Sequence, residues 1–130
     1  MKFLSDYTQA AQTKMFKEQG VFFAFSKKQF EEGCKEIGAT KDNKVTSLDN
    51  GIFCFSKNVD KVISEFERIQ KEGINQDIEE NGIKGIIERE LSNHEAYYTR
   101  DIESTVDALE DYPGITAEEI LAVFKGVRNV

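Results

Sequence analysis

The sequence predicts an α+β fold, and three observations carry the prediction. Short apolar runs rich in Phe, Val and Ile fall between residues 21 and 55. An Asp49-Asn50-Gly51 turn joins two of them. From residue 56 onward, apolar positions recur at helical spacing instead of alternating. Together they predict a small three-stranded antiparallel sheet covered by five or six helices, with a helical C-terminal half, in a single domain spanning 1–130.

Taken in order, residues 4–18 form the first helix, with Leu4, Tyr7, Ala11 and Met15 on one face and Gly20 at its end. Val21-Phe22-Phe23-Ala24-Phe25 reads as a strand, and its phenylalanines as core. Ser26 with Gln29 makes a capping box, which opens a helix through Phe30 and Cys34 to Ile37-Gly38. Gly33 should weaken that helix by about 1 kcal/mol relative to Ala. Residues 44–56 form a hairpin around Asn50-Gly51, because both residues tolerate the positive φ of a tight turn. Ser56 is expected to cap a helix with the stripe Val59, Val62, Ile63, Phe66 and Ile69, closed by Gly73. A short helix at 75–81 should break at Gly82 and Gly85, and a stronger one should run from Ile86 to Tyr98. Another spans Asp101–Asp111, with Ile102, Val106 and Leu109 inward. Tyr112-Pro113-Gly114 is a turn, and Thr116 with Glu119 caps the last helix. The pattern Phe-x-Phe-Ser-Lys occurs twice, at 23–27 and 53–57; two copies are too few for a solenoid and read as repeated local physics.

Composition limits the function classes. Apolar and charged fractions of 39% and 32% are those of a globular chain, and no run of about 18 apolar residues could span a bilayer. The N-terminal residues lack the apolar stretch and cleavage site of a signal peptide, so a cytoplasmic setting is expected. Cys34 and Cys54 form no motif and are expected to be reduced thiols. The net charge of −7 is uneven. Residues 1–46 carry 8 basic and 6 acidic side chains, whereas residues 47–130 carry 9 basic and 18 acidic. From Asp101 to Glu119 there is no Lys or Arg at all. Such a C-terminal half should repel nucleic acid and suit a basic protein surface.

Two clusters are candidate sites. His94, the single histidine, lies four residues after Glu90, and at 100° per residue both fall on the broad side holding Ile86, Ile87, Leu91, Tyr97 and Tyr98. A carboxylate on a buried face needs a partner or a proton. The pair is read first as a buried structural contact. The alternative is an acid–base pair or half of a metal site, with Asp101 and Glu103 as the nearest further ligands. No second histidine, nucleophile elbow or phosphate loop accompanies it, so no cofactor or metal is expected. The second candidate is acidic. Glu103, Asp107 and Glu110, with Asp111 beside them, lie opposite the apolar stripe, as either a solvated face or a docking stripe for a Lys/Arg-rich partner.

The strings Val21-Phe22-Phe23-Ala24-Phe25-Ser26-Lys27-Lys28-Gln29-Phe30, Asn93-His94-Glu95 and Ile102 to Glu110 resemble small uncharacterised proteins carried by phages and mobile elements of Bacteroidetes bacteria. The resemblance covers most of the chain and carries no activity or catalytic residue. It implies an accessory protein working in the cytoplasm of a bacterial host. The reading reached is a non-enzymatic inhibitor that binds a host defence factor, such as a CRISPR effector or another nuclease, through Glu103, Asp107, Glu110 and Asp111. The alternatives are a small enzyme centred on Glu90 and His94, and a virion component.

Overall fold

The computed structural model describes residues 1–128. Its elements are α1 (Leu4–Gln19), β1 (Phe22–Phe23), α2 (Lys27–Ile37), β2 (Val45–Ser47), β3 (Ile52–Phe55), a 3-10 turn (Ser56–Asn58), α3 (Val59–Asn93), α4 (Ala96–Thr99), α5 (Glu103–Ala108) and α6 (Ala117–Arg128). The fold is α+β: the three strands form one antiparallel sheet in the order β1-β3-β2, and helix dominates the C-terminal half. The chain forms two compact units, one of Thr8–Gly73 and one of Met1–Tyr7 with the chain from Ile74 onward.

The Thr8–Gly73 unit holds the sheet. Side chains alternate along β3, so Cys54 faces one way and Phe53 the other. Cys54 is fully buried with Met15, Val21, Val62 and Ile69, beneath the helical faces of α1 and α3. On the opposite face Phe53 stacks on Phe22 (5.5 Å), and Phe30 of α2 packs against both. Asn50 and Gly51 both take positive φ, 57° and 76°, as the hairpin requires. Ser26 caps α2, its Oγ accepting from Gln29 N at 3.2 Å, while Gln29 Oε1 accepts from Phe25 N at 2.7 Å.

Three expectations change in this unit. The strand expected over 21–25 is reduced to Phe22–Phe23. Ala24 N bonds to Gly51 O at the hairpin turn, and Ser26 then diverts the chain into α2. Phe23 and Phe25 are therefore not core: they are 49% and 76% exposed, and the Phe25 ring lies over Gly51. Ser56 does not cap α3. Its hydroxyl is hydrogen-bonded to Thr46 across the hairpin, and the 3-10 turn leads into the helix. Gly73 does not close α3, which stays helical there because Ile74, Asp77 and Ile78 continue its buried face.

The second unit is helical around Ile74, Ile86, Ile87, Leu91, Ala96, Leu109, Tyr112, Ile120 and Phe124. α3 breaks at Gly82, whose φ of 72° and ψ of 157° lie outside the helical region, whereas Gly85 remains helical. The helix expected over 86–98 ends at Asn93. Glu95 adopts φ 55° and starts the separate α4, so Tyr97 and Tyr98 do not extend the Glu90 stripe, and Tyr98 is 89% exposed. The helix expected over 101–111 is only Glu103–Ala108. Leu109 is inward, and Glu110 and Asp111 belong to the following turn. Pro113 and the positive φ of Gly114 then make a turn closed by Ile115 N to Tyr112 O, and Thr116 Oγ1 caps α6 through Glu119 N.

Candidate functional site

Two features of the helical unit are candidates, one inside and one outside. The interior feature is a charged network. Asp77 is fully buried and Arg89 nearly so. Arg89 donates from Nη1 to Asp77 Oδ1 (2.8 Å), from Nη2 to Asp77 Oδ2 (3.0 Å) and from Nε to Glu90 Oε2 (2.8 Å). A further Arg89 bond reaches Lys2 O at 2.9 Å. Asn81 Nδ2 donates to Asp77 Oδ1 and to Tyr7 Oη, and the Tyr112 hydroxyl donates to Asp77 Oδ2. Among the described residues no buried side-chain nitrogen or oxygen lacks a partner.

The kink makes this network. Asp77 and Arg89 are twelve residues apart, which in a straight helix separates them by about 18 Å. The break at Gly82 turns the second half of α3 back so that the two side chains meet. The electrostatics follow from this contact. Burial alone pushes the Asp77 carboxyl up, but the hydrogen bonds from Arg89, Tyr112 and Asn81 outweigh it and hold the carboxyl below its usual range. Burial works against the Arg89 charge, yet Asp77 and Glu90 keep the guanidinium firmly protonated. Burial and the adjacent Asp77 carboxylate push the Tyr112 hydroxyl up, so it stays a donor.

Glu90 is buried, as its place on the stripe implies, but its partner is Arg89. His94 is half-buried, and its Nε2 stands 3.7 Å from Glu90 Oε1, beyond hydrogen-bond range. The Glu90 main chain is held by Thr105, a fully buried residue of α5 whose Oγ1 donates to Glu90 O at 3.3 Å. Asp101 and Glu103 are not brought to Glu90 and His94 as ligands: among the described residues no three His, Cys, Asp or Glu side chains stand close enough to hold a metal ion. Asp101 instead accepts from Glu103 N at 2.9 Å.

Periodicity pointed to Glu90 but missed Asp77 and Arg89. Asp77 carried the same signal as Glu90, a carboxylate set three residues after Ile74 on an apolar stripe. Arg89 gave none, because its burial depends on the kink.

The outer feature is the acidic run. Glu103, Asp107, Glu110 and Asp111 are all exposed and form no ion pair with any described residue. Glu103 and Asp107 lie on α5, and Glu110 and Asp111 in the turn after it. Elsewhere, Cys34 and Cys54 are free, and burial pushes both thiols up, away from the reactive thiolate. No described helix is long and apolar enough to cross a membrane.

The fold and these features define a small α+β protein with a buried Asp–Arg–Tyr network and an exposed acidic run that forms no ion pair among the described residues. The chain belongs to the family of unknown function DUF7659, whose model matches residues 4–129. No curated protein and no solved structure matches it.

Proposed function

We propose that this chain is a non-enzymatic docking protein whose acidic surface occupies a basic protein surface, such as the nucleic-acid channel of a host nuclease. The observation that carries this reading is the exposed set Glu103, Asp107, Glu110 and Asp111, left without a cation among the described residues. Carboxylates already neutralised within the chain would have little to offer a partner; these remain available. The network beneath supports the reading, because Tyr112 follows the acidic turn directly and is itself fixed to Asp77. The resemblance to proteins of phages and mobile elements supports a host defence complex, including a CRISPR effector, as the target.

The engagement of Glu90 by Arg89 favours a structural role for Glu90 and His94 over acid–base chemistry. Titration of purified bacterial nuclease complexes with the protein tests the docking reading. Binding should weaken steeply with salt, and the triple variant Glu103→Lys, Asp107→Lys, Glu110→Lys should abolish it. Binding unchanged in that variant would remove the acidic surface from the interface.

A further inference from the structure

Within the helical unit, one residue separates α3 from an uninterrupted helix. Gly82, at φ 72° and ψ 157°, is the residue of Val59–Asn93 that leaves the helical region, and helix resumes directly on either side of it. The flanking sequence does not demand the break. The single proline of the chain is Pro113, outside α3. Gly82 is exposed, and a Cβ there would meet nothing within 4 Å. A helix break leaves backbone N–H and C=O groups without their helical partners, and a continuous helix would pair them.

The bend is held by contacts made across it. Before the hinge stand Asp77, the Lys2 carbonyl and the Phe3 ring; after it stand Arg89 and Tyr112. Straightening Gly82 would part Asp77 and Arg89 within one chain by about 18 Å along the axis. It would not keep them apart between two chains. Asp77 and Arg89 lie six residues either side of Ile83. Two straightened segments running antiparallel about a two-fold axis at that position therefore set Asp77 of each chain level with Arg89 of the other. At 100° per residue the two side chains project about 120° apart, with the core residues Ile74 and Ile78 between them. Both ion pairs form at once, as a closed isologous dimer requires.

We propose that Gly82 is a hinge for segment exchange between two copies of this chain. In the dimer Gly82 turns helical, and the segment from Ile83 onward docks on residues 1–7 and 74–81 of the second copy. The Asp77–Arg89–Tyr112 network then re-forms across the two chains. Single chain and dimer share these contacts and differ chiefly at the hinge, so protein concentration and the identity of residue 82 set the balance. The exchange requires no host partner and stands apart from the docking reading. It brings together two units that each carry 6 basic and 14 acidic side chains, so salt should favour the dimer.

The test is light scattering with isotope-filtered NMR on the full chain. Alanine suits a helix and disfavours φ 72°. Acting in both chains, Gly82→Ala should lower the dimer dissociation constant by about a hundredfold or more relative to the unsubstituted protein. Gly85→Ala, helical in either state, should leave it within about threefold. Dimers mixed from labelled and unlabelled chains should show NOEs from the Tyr112 ring of one chain to the Asp77 methylene of the other. The unsubstituted protein, refolded from urea at about millimolar concentration, should contain the same dimer in a fraction that rises with salt. That sample carries the NMR readout should Gly82→Ala not fold. A folded and monomeric Gly82→Ala, a dimer whose Tyr112–Asp77 contacts stay within each chain, or an equal shift in Gly85→Ala would overturn the proposal. So would an unfolded Gly82→Ala together with no dimer in the refolded protein.

Discussion

Arg89 shows how much a single residue can organise. Its guanidinium joins Asp77, Glu90 and the Lys2 carbonyl, and it lies 5.4 Å from the Phe3 ring centre. Removing one partner of a buried ion pair leaves the other charge unpaired, so Arg89→Ala should destabilise the protein by about 3–5 kcal/mol, read from urea unfolding. Replacing Asp77 and Arg89 together by Leu and Met should cost less than the sum of the single changes, because neither member of the Asp77–Arg89 pair is left facing the other's empty place, although Glu90 still loses its Arg89 partner. The same contact sets a pH dependence. The folded carboxyl of Asp77 sits below its unfolded value of 3.8, so its stabilising contribution is complete above that pH. It is lost as pH falls through the folded value. Urea midpoints between pH 6 and pH 2.5 should drop below about pH 4, and Asp77→Asn should flatten that part of the profile. Gly33 is a second case. Helix propensity alone favours alanine there by about 1 kcal/mol. Yet an added Cβ would lie 2.2 Å from the Phe22 ring. Gly33→Ala should therefore destabilise, by about 1–3 kcal/mol, with the thermal midpoint as the readout.

At the scale of elements, the decisive feature is the break in α3. Gly82 and Gly85 look alike in sequence, and both were expected to interrupt helix, but only Gly82 leaves the helical region. Its φ of 72° with ψ of 157° suits glycine alone. Gly82→Ala should cost about 1–3 kcal/mol and loosen the Asp77–Arg89 contact. Gly85→Ala should instead stabilise by about 0.5–1 kcal/mol. The nearest neighbour of its new Cβ is the flexible Met1 Cε at 3.4 Å. Opposite signs in thermal unfolding check the pair. Local signals elsewhere were good guides. Ser26, Asn50-Gly51 and Thr116 act as their short-range chemistry requires, because caps and turns are set by neighbours within a few residues. Ser56 departed from this pattern because the Thr46 hydroxyl, brought near by strand pairing, took its side chain.

For the whole molecule, charge follows the two units. The unit of residues 1–7 and 74–130 carries 6 basic and 14 acidic side chains, while residues 8–73 carry 11 basic and 10 acidic. A balance of −8 in one unit repels itself at low ionic strength. Raising salt from low to physiological levels should raise the thermal midpoint. The double variant Asp107→Asn, Glu110→Gln should raise it at low salt and reduce that dependence. The same excess that costs stability supports the docking reading, since carboxylates held outward with no ion pair among the described residues are available to a basic surface.

The sequence by itself determined the α+β class, the hairpin, the capped starts of α2 and α6, the inward place of Glu90 and the outward place of Glu103, Asp107, Glu110 and Asp111. Each of these follows from spacing along a few consecutive turns or from residue-specific backbone freedom. Tertiary structure decided that Asp77 and Arg89 meet, that Glu90 is hydrogen-bonded to Arg89 while His94 stands 3.7 Å away, and that Phe23 and Phe25 stay exposed. Those outcomes depend on where a single φ/ψ pair at Gly82 redirects a helix and on which residues strand pairing brings together. Neither leaves a periodic trace in the chain.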